Sequence, residues 1–109
     1  MLAELLGSLN KERVLVFLAA RERGYAREIA RFFEGALSPI QSAIEKLEAA
    51  GVLVGRPVGT AREYEFNPRY PAREQLRALV EKALALYPAD LQEKLVMTRT
   101  RPRRKGKPL

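Results

Sequence analysis

The chain has 109 residues, 47% of them apolar, which suits one folded domain with a real core and excludes two. It contains no cysteine and no histidine, which excludes a disulfide framework, a thiolate or imidazole metal site, and a Ser–His–Asp or Cys–His catalytic group. The formal charge of +7 is concentrated at one end, since residues 1–98 carry 14 basic and 13 acidic side chains, whereas residues 99–109 carry six basic and none acidic. We therefore expect a nearly neutral single domain, residues 1–97, followed by a basic, disordered tail, residues 98–109.

The first predicted elements are two helices. A leucine stripe at helical spacing breaks at Gly7 and consists of Leu2, Leu5, Leu6 and Leu9. The second helix has Ser8 or Asn10 as its cap and Gly24 at its end. Its middle, residues 14–20, is apolar on every side, which predicts burial on every side. Either the chain itself wraps this helix, or the helix packs on the body and also on a second subunit.

The next segment has the pattern helix, turn, helix. A two-turn helix is predicted over residues 26–33, followed by a tight connection in which Gly35 can adopt a positive φ. Ser38 is expected to cap the following helix, Pro39 suits its first position, and Gln41 completes the capping-box spacing. Three aliphatic residues recur at intervals of four and three and face inward: Ile40, Ile44 and Leu47.

Two extended runs, residues 52–56 and 62–66, then flank a turn at residues 58–60. Tyr64 and Phe66 alternate with glutamates at the period-two spacing of a half-buried strand, so the segment predicts a β-hairpin. Further helices are expected over residues 71–87 and 91–97. The predicted fold class is therefore mainly α with a small β-hairpin, in the order of a winged helix-turn-helix.

This ordered set resembles the winged helix-turn-helix DNA-binding regulators, and it is most similar to the ArsR-like and MarR-like groups. The resemblance covers about residues 8–87 and rests on residues 25–30 (YAREIA), 37–53 (LSPIQSAIEKLEAAGVL) and 58–68 (VGTAREYEFNP). It implies a homodimer in which the N-terminal helices and the helix over residues 71–87 pair between subunits. The residues it places at the dimer interface are Leu2, Leu5, Leu6, Val16, Leu76, Leu79, Val80, Ala83, Leu84 and Tyr87.

The resemblance also implies that the helix over residues 38–50 reads the major groove and that the wing over residues 56–62 lies on the backbone. Gln41 can bridge an adenine, and Ser42 can bond a base or a phosphate, although Ser38 and Gln41 have capping as an alternative role. Glu45 also points outward, and phosphates repel it unless it accepts from a cytosine amine. The candidates on this helix are Ser38, Pro39, Gln41, Ser42 and Lys46.

Cations elsewhere are expected to hold phosphates. Arg27 and Arg31 lie four residues apart on the helix before the turn, and the wing tip supplies Arg56, Thr60 and Arg62. Each arginine has the alternative of pairing with a nearby carboxylate. The tail could neutralise further phosphates, increase solubility or dock on an acidic partner; its cations are Arg99, Arg101, Arg103, Arg104, Lys105 and Lys107.

Two functional hypotheses follow. The first is a homodimeric regulator of transcription, a repressor, that binds double-stranded DNA at a specific sequence. The alternative is a winged-helix adaptor that binds a protein, or an architectural protein that binds nucleic acid without sequence preference; Glu45 on the reading face favours this alternative. The metal-sensing members of these groups bind metals through clusters of cysteine, histidine and carboxylate side chains. Because this sequence has no cysteine and no histidine, we expect no effector metal.

Other classes are not supported by any motif. The sequence has no nucleotide-binding glycine motif, and its thirteen acidic residues include no evident acid–base pair, so we expect neither an enzyme nor a cofactor. No apolar run approaches the roughly 18 residues of a membrane span, and the N-terminus lacks the positive flank of a signal peptide. The expected location is the cytoplasm, as a soluble protein.

Overall fold

The computed structural model describes residues 1–100, and over residues 97–100 it gives only the course of the backbone. Within that range the chain forms a single, mainly helical domain with a small antiparallel sheet, as predicted. Its elements are α1 (Ala3–Leu6), α2 (Leu9–Arg21), β1 (Gly24–Tyr25), α3 (Ala26–Phe32), α4 (Leu37–Ala49), β2 (Leu53–Val58), β3 (Ala61–Phe66), α5 (Arg73–Ala85) and α6 (Ala89–Thr100).

Helix α2 is the centre of the domain. Its residues 14–20 are all buried, which confirms the expectation from their apolar pattern, and the chain itself covers them. Phe17, with no exposed surface, meets Phe32 of α3 edge-on at a ring distance of 5.8 Å. Other buried side chains come from every later helix and from the sheet, including Ile44, Leu53, Phe66, Val80 and Leu95.

The two ends of α2 differ in how well the sequence predicted them. Ser8 caps the start, as expected, with its Oγ accepting from the Lys11 N–H at 3.1 Å. The helix ends at Arg21 rather than at Gly24, because Glu22 takes the positive φ, 72°, that terminates it. Gly24 lies in β1 against Phe17, where a Cβ would come within 2.7 Å of the ring. Its lack of a side chain therefore serves a close approach and not a helix end.

The connection between α3 and α4 also corrects the sequence prediction. The positive φ, 56°, belongs to Glu34 and not to Gly35. Helix α4 begins at Leu37 after an extended Ala36, and no side chain caps it. The roles of Ser38 as cap and of Gln41 as its capping-box partner are therefore wrong. Pro39 occupies the third helical position instead of the first, which still suits it because the first four N–H groups have no partner within a helix.

The hairpin is confirmed, and a third strand joins it. Strands β2 and β3 pair antiparallel from Leu53 opposite Phe66 to Val58 opposite Ala61, with Gly59 at φ 63° in the two-residue turn. The short strand β1 adds to the free edge of β3, giving the order β1-β3-β2. The turn and its flanking residues therefore project from one end of the sheet beside α4.

The last two helices depart from their predicted bounds. Helix α5 is shorter than residues 71–87, whereas α6 begins before residue 91 and runs to Thr100, into the segment predicted as tail. The remaining tail, residues 101–109, lies outside the described part of the chain, as does the side chain of Arg99. The structure therefore does not describe the side chains of Arg99, Arg101, Arg103, Arg104, Lys105 and Lys107. None of the helices within residues 1–100 has both the length and the apolar character needed to cross a bilayer.

Four residues expected at a dimer interface belong instead to the core of the single chain: Leu2, Val16, Val80 and Ala83 are each at most 2% exposed. Because their side chains have almost no free surface, they cannot contact a second subunit in this fold. Leu5 is 71% exposed and remains available. Intermediate exposure and packing against the core are found for Leu6, Leu76, Leu79, Leu84 and Tyr87.

Glu12 is a charged side chain buried at the start of α2. It accepts hydrogen bonds from the backbone N–H groups of Leu2 at 2.6 Å and Ala3 at 2.8 Å, and from the Tyr87 hydroxyl at 2.6 Å. Burial acts to raise the pKa of Glu12, but the hydrogen bonds from Tyr87 and Leu2, together with the amino group of Met1, outweigh it and lower the pKa. The ionised carboxylate thus ties α1 and the end of α5 to α2.

Candidate functional site

Helix α4 presents one buried face and one open face. Ile40, Ile44 and Leu47 point into the core, as the sequence predicted, and Ala43 joins them. The opposite face is exposed and carries Ser38, Pro39, Gln41, Ser42, Glu45 and Lys46. Within residues 1–100, the side chains of Ser38 and Gln41 make no hydrogen bond to the chain. With capping excluded, both are free to bond to another molecule.

A cleft of about 500 Å³ runs between α4, the start of α3 and the turn of the hairpin. We call it the hairpin-side cleft. Its walls carry polar groups from β1, α3, α4 and the hairpin, while Ala26, Leu37, Ile44 and Ala61 supply apolar surface. The polar lining residues are Tyr25, Arg27, Gln41, Glu45, Thr60, Arg62 and Tyr64. Most of these side chains were identified from the sequence, but Tyr25 and Tyr64 were missed. The ring of Tyr64 fitted the packing of a half-buried strand, and Tyr25 reaches the cleft through a strand, β1, that the sequence did not predict.

The two hairpin arginines are already bound to carboxylates. Arg62 lies 2.9 Å from Glu48 of α4, and the hydrogen bond that its guanidinium donates to the Glu48 carboxylate raises the pKa of Arg62. Arg56 lies 2.9 Å from Glu63, the residue opposite it in the hairpin register, and the pKa of Arg56 rises for the same reason. Both arginines remain exposed, so a phosphate can reach them, but it has to compete with a carboxylate already in place.

Gly55 makes room for the Arg62 side chain. The Arg62 guanidinium stands 5.9 Å from the centre of the Tyr64 ring. A Cβ on Gly55 would lie 2.7 Å from both Arg62 Nε and Tyr64 Cε1. The glycine therefore lets both side chains lie across β2, and the ion pair with Glu48 then joins the hairpin to α4.

Arg27 and Arg31 show the opposite behaviour. Both are exposed on α3, and in the part of the chain that the structure describes neither forms an ion pair. Glu28, a carboxylate beside Arg27 in sequence, lies 3.6 Å from Arg21 instead and accepts from the backbone N–H of Tyr25. Arg27 also lines the hairpin-side cleft. Pairing with a carboxylate is therefore found for the two hairpin arginines, and among the described residues it is not found for the two arginines of α3.

A second cleft, of about 230 Å³, lies on the other flank of α4, against the start of α2. We call it the α2-side cleft. It is lined by Gly7, Ser8, Asn10, Lys11, Pro39, Ser42, Ala43 and Lys46. No carboxylate is among these residues. Sequence analysis placed Ser42 and Lys46 at the interface but missed Asn10 and Lys11, which are about thirty residues away in sequence and come near only through the packing of α2 on α4.

Among the described residues, no group of three or more acidic side chains is placed to hold a metal ion. Comparison of the chain with protein-family models, with curated proteins and with solved structures found no match.

Proposed function

We propose that the chain is a winged helix-turn-helix protein that binds double-stranded DNA at a specific sequence and regulates transcription as a homodimer. The observation that carries the proposal is the open outer face of α4, which offers uncommitted hydroxyl and amide groups on a rigid helix. A helix of 13 residues with side chains is about 10–12 Å wide, which suits the major groove of about 12 Å.

The elements around α4 support this proposal. Helix α3 and the turn at Glu34 precede α4, and the hairpin β2–β3 follows it and stands beside it. In this arrangement α4 is the recognition helix and the hairpin is the wing. Gln41 and Ser42 are the base-reading candidates, while Arg27 and Arg31, which form no ion pair with the described residues, are candidate cations for phosphate contacts.

The homodimer is part of the proposal because a two-fold protein places two recognition helices in successive major grooves. Large apolar side chains that a second subunit could cover are exposed at the start of the chain, where Leu5 is 71% exposed, and after α5, where Leu86 is 69% exposed. Light scattering at tens of micromolar protein tests the homodimer. We expect the mass of a dimer, and the mass of a monomer would contradict this part of the proposal.

Selection from a pool of randomised duplexes tests sequence-specific binding. The bound fraction is sequenced after several rounds and compared with the pool retained by the Gln41→Ala variant. We expect wild type to enrich a motif with two-fold symmetry, and the variant to lose preference at one position of each half-site. Equal retention of all sequences by wild type would overturn specific recognition.

One observation favours a second function. Carboxylates neutralise both hairpin arginines, and Glu45 is exposed in the hairpin-side cleft, so this side of α4 is less cationic than a tight DNA-binding surface. The chain would then be a protein-binding adaptor, with the basic tail on an acidic partner. In that case wild type would bind random duplex weakly, with a shallow salt dependence, and would enrich no motif.

A further inference from the structure

The two clefts beside α4 differ in charge. The hairpin-side cleft contains Glu45, and its Arg62 is bound to Glu48. The α2-side cleft contains Lys11 and Lys46 and no acidic side chain. Within residues 1–100 neither lysine forms an ion pair. Uncompensated positive charge therefore lies on the flank of α4 that faces α2. No residue of the hairpin lines this cleft.

The helical register explains why α4 has two distinct flanks. Pro39, Ser42 and Lys46 recur at intervals of three and four, so they form one stripe, and this stripe lines the α2-side cleft. Gln41 and Glu45, four residues apart, form a second stripe along the hairpin-side cleft. A helix that lies in a major groove has a phosphate strand on each side. Each flank of α4 therefore faces one of the two strands if α4 is the recognition helix.

We propose that the α2-side cleft binds the phosphate backbone of one DNA strand, with Lys11 and Lys46 as its cationic contacts. This inference rests on the proposed function and assigns a phosphate site to the start of α2. The Asn10 amide and the Ser42 hydroxyl can donate to phosphate oxygens. Ser8 can do the same, because its Oγ accepts from the Lys11 N–H and its own hydrogen stays available.

The measurement is the affinity for a labelled duplex of random sequence, titrated at several salt concentrations between about 50 and 200 mM. Lys11→Ala and Lys46→Ala are compared with wild type and with Lys94→Ala, which removes an exposed lysine of α6 outside both clefts. The cap of α2 is retained in Lys11→Ala because Ser8 bonds the backbone of residue 11. Circular dichroism establishes that each variant is folded.

We expect Lys11→Ala and Lys46→Ala each to lower the slope of log affinity against log salt by about 0.9, the value of one phosphate contact. Both variants should lower the affinity for random and for selected duplexes by the same factor, while Lys94→Ala keeps the wild-type slope. If wild type binds a selected motif but both cleft variants keep its slope, the α2-side site is wrong and the proposed function stands. If wild type binds no duplex at any salt concentration, both are wrong.

Discussion

Helices α2 and α4 have the same length, 13 residues, but different relations to the rest of the chain. Eight residues of α2 are buried, against four of α4, so nearly every side of α2 supports the fold while α4 keeps an open polar face. Substitutions in α2 should therefore affect stability, whereas those on the outer face of α4 should affect what the protein binds. Variants of the two helices and of the residues beside them test this division.

The largest effect is expected at Phe17 of α2. Phe17→Ala removes a fully buried ring that contacts Phe32 and lies under the Arg21 guanidinium at 4.7 Å. We expect it to lower the free energy of unfolding by about 3–5 kcal/mol, measured by urea denaturation. A loss of less than about 1 kcal/mol would mean that α2 is not the centre of the core.

The next effect concerns Glu12. Glu12→Gln keeps the size of the side chain but weakens the four hydrogen bonds to its oxygens, and we expect a loss of about 1–3 kcal/mol at neutral pH. Glu4→Gln is the matched control, because Glu4 is exposed on α1 and its change should stay within about 0.5 kcal/mol.

The same carboxylate predicts the pH dependence. Folding lowers the pKa of Glu12 below its ordinary value of 4.5, so in acid the unfolded chain binds more protons than the folded one. Its stabilisation is complete above the unfolded pKa and is lost as the pH falls through the folded pKa. Urea denaturation between neutral pH and about pH 3 should therefore show a smaller loss for Glu12→Gln than for wild type. Equal losses of stability in wild type and Glu12→Gln would contradict the lowered pKa of Glu12 in the folded protein.

A different outcome is expected on the open face of α4. Gln41→Ala should change the free energy of unfolding by less than about 0.5 kcal/mol, since Gln41 neither caps α4 nor bonds the chain. In DNA binding it should reduce discrimination at one base position by about 1–3 kcal/mol, measured with single-base variants of the selected duplex. Gln75→Ala, at an exposed glutamine of α5, is the control. A large loss of stability in Gln41→Ala would give the residue a structural role instead.

The smallest effect distinguishes the two sets of arginines. Arg27→Ala should lower the salt slope by about 0.9, whereas Arg62→Ala should lower it by less, because part of the Arg62 charge is compensated by Glu48. Both variants are measured by their affinity for random duplex in the same salt titration. The reverse order would show that the bound DNA displaces Glu48 completely.

The repeat of Ile40, Ile44 and Leu47 was enough to predict α4 and its buried face, because helical periodicity is a property of neighbouring residues. Strand β1 could not be predicted, since Gly24 and Tyr25 become a strand only by pairing with Tyr64 and Glu63, far along the chain. The α2-side cleft and the Arg62–Glu48 pair depend on the same kind of long-range contact. The cap at Ser38 was wrong because Ser-Pro fits several positions of a first turn, and α4 begins at Leu37, two residues before the predicted first helical residue Pro39.

The contact at Gly55 has an evolutionary consequence. A methyl group there would collide with both Arg62 and Tyr64, so a substitution is tolerated only if those two side chains shrink or move away. Across descendants of a common ancestor, we expect positions 55, 62 and 64 to vary together, with alanine or serine at 55 accompanied by smaller residues at the other two.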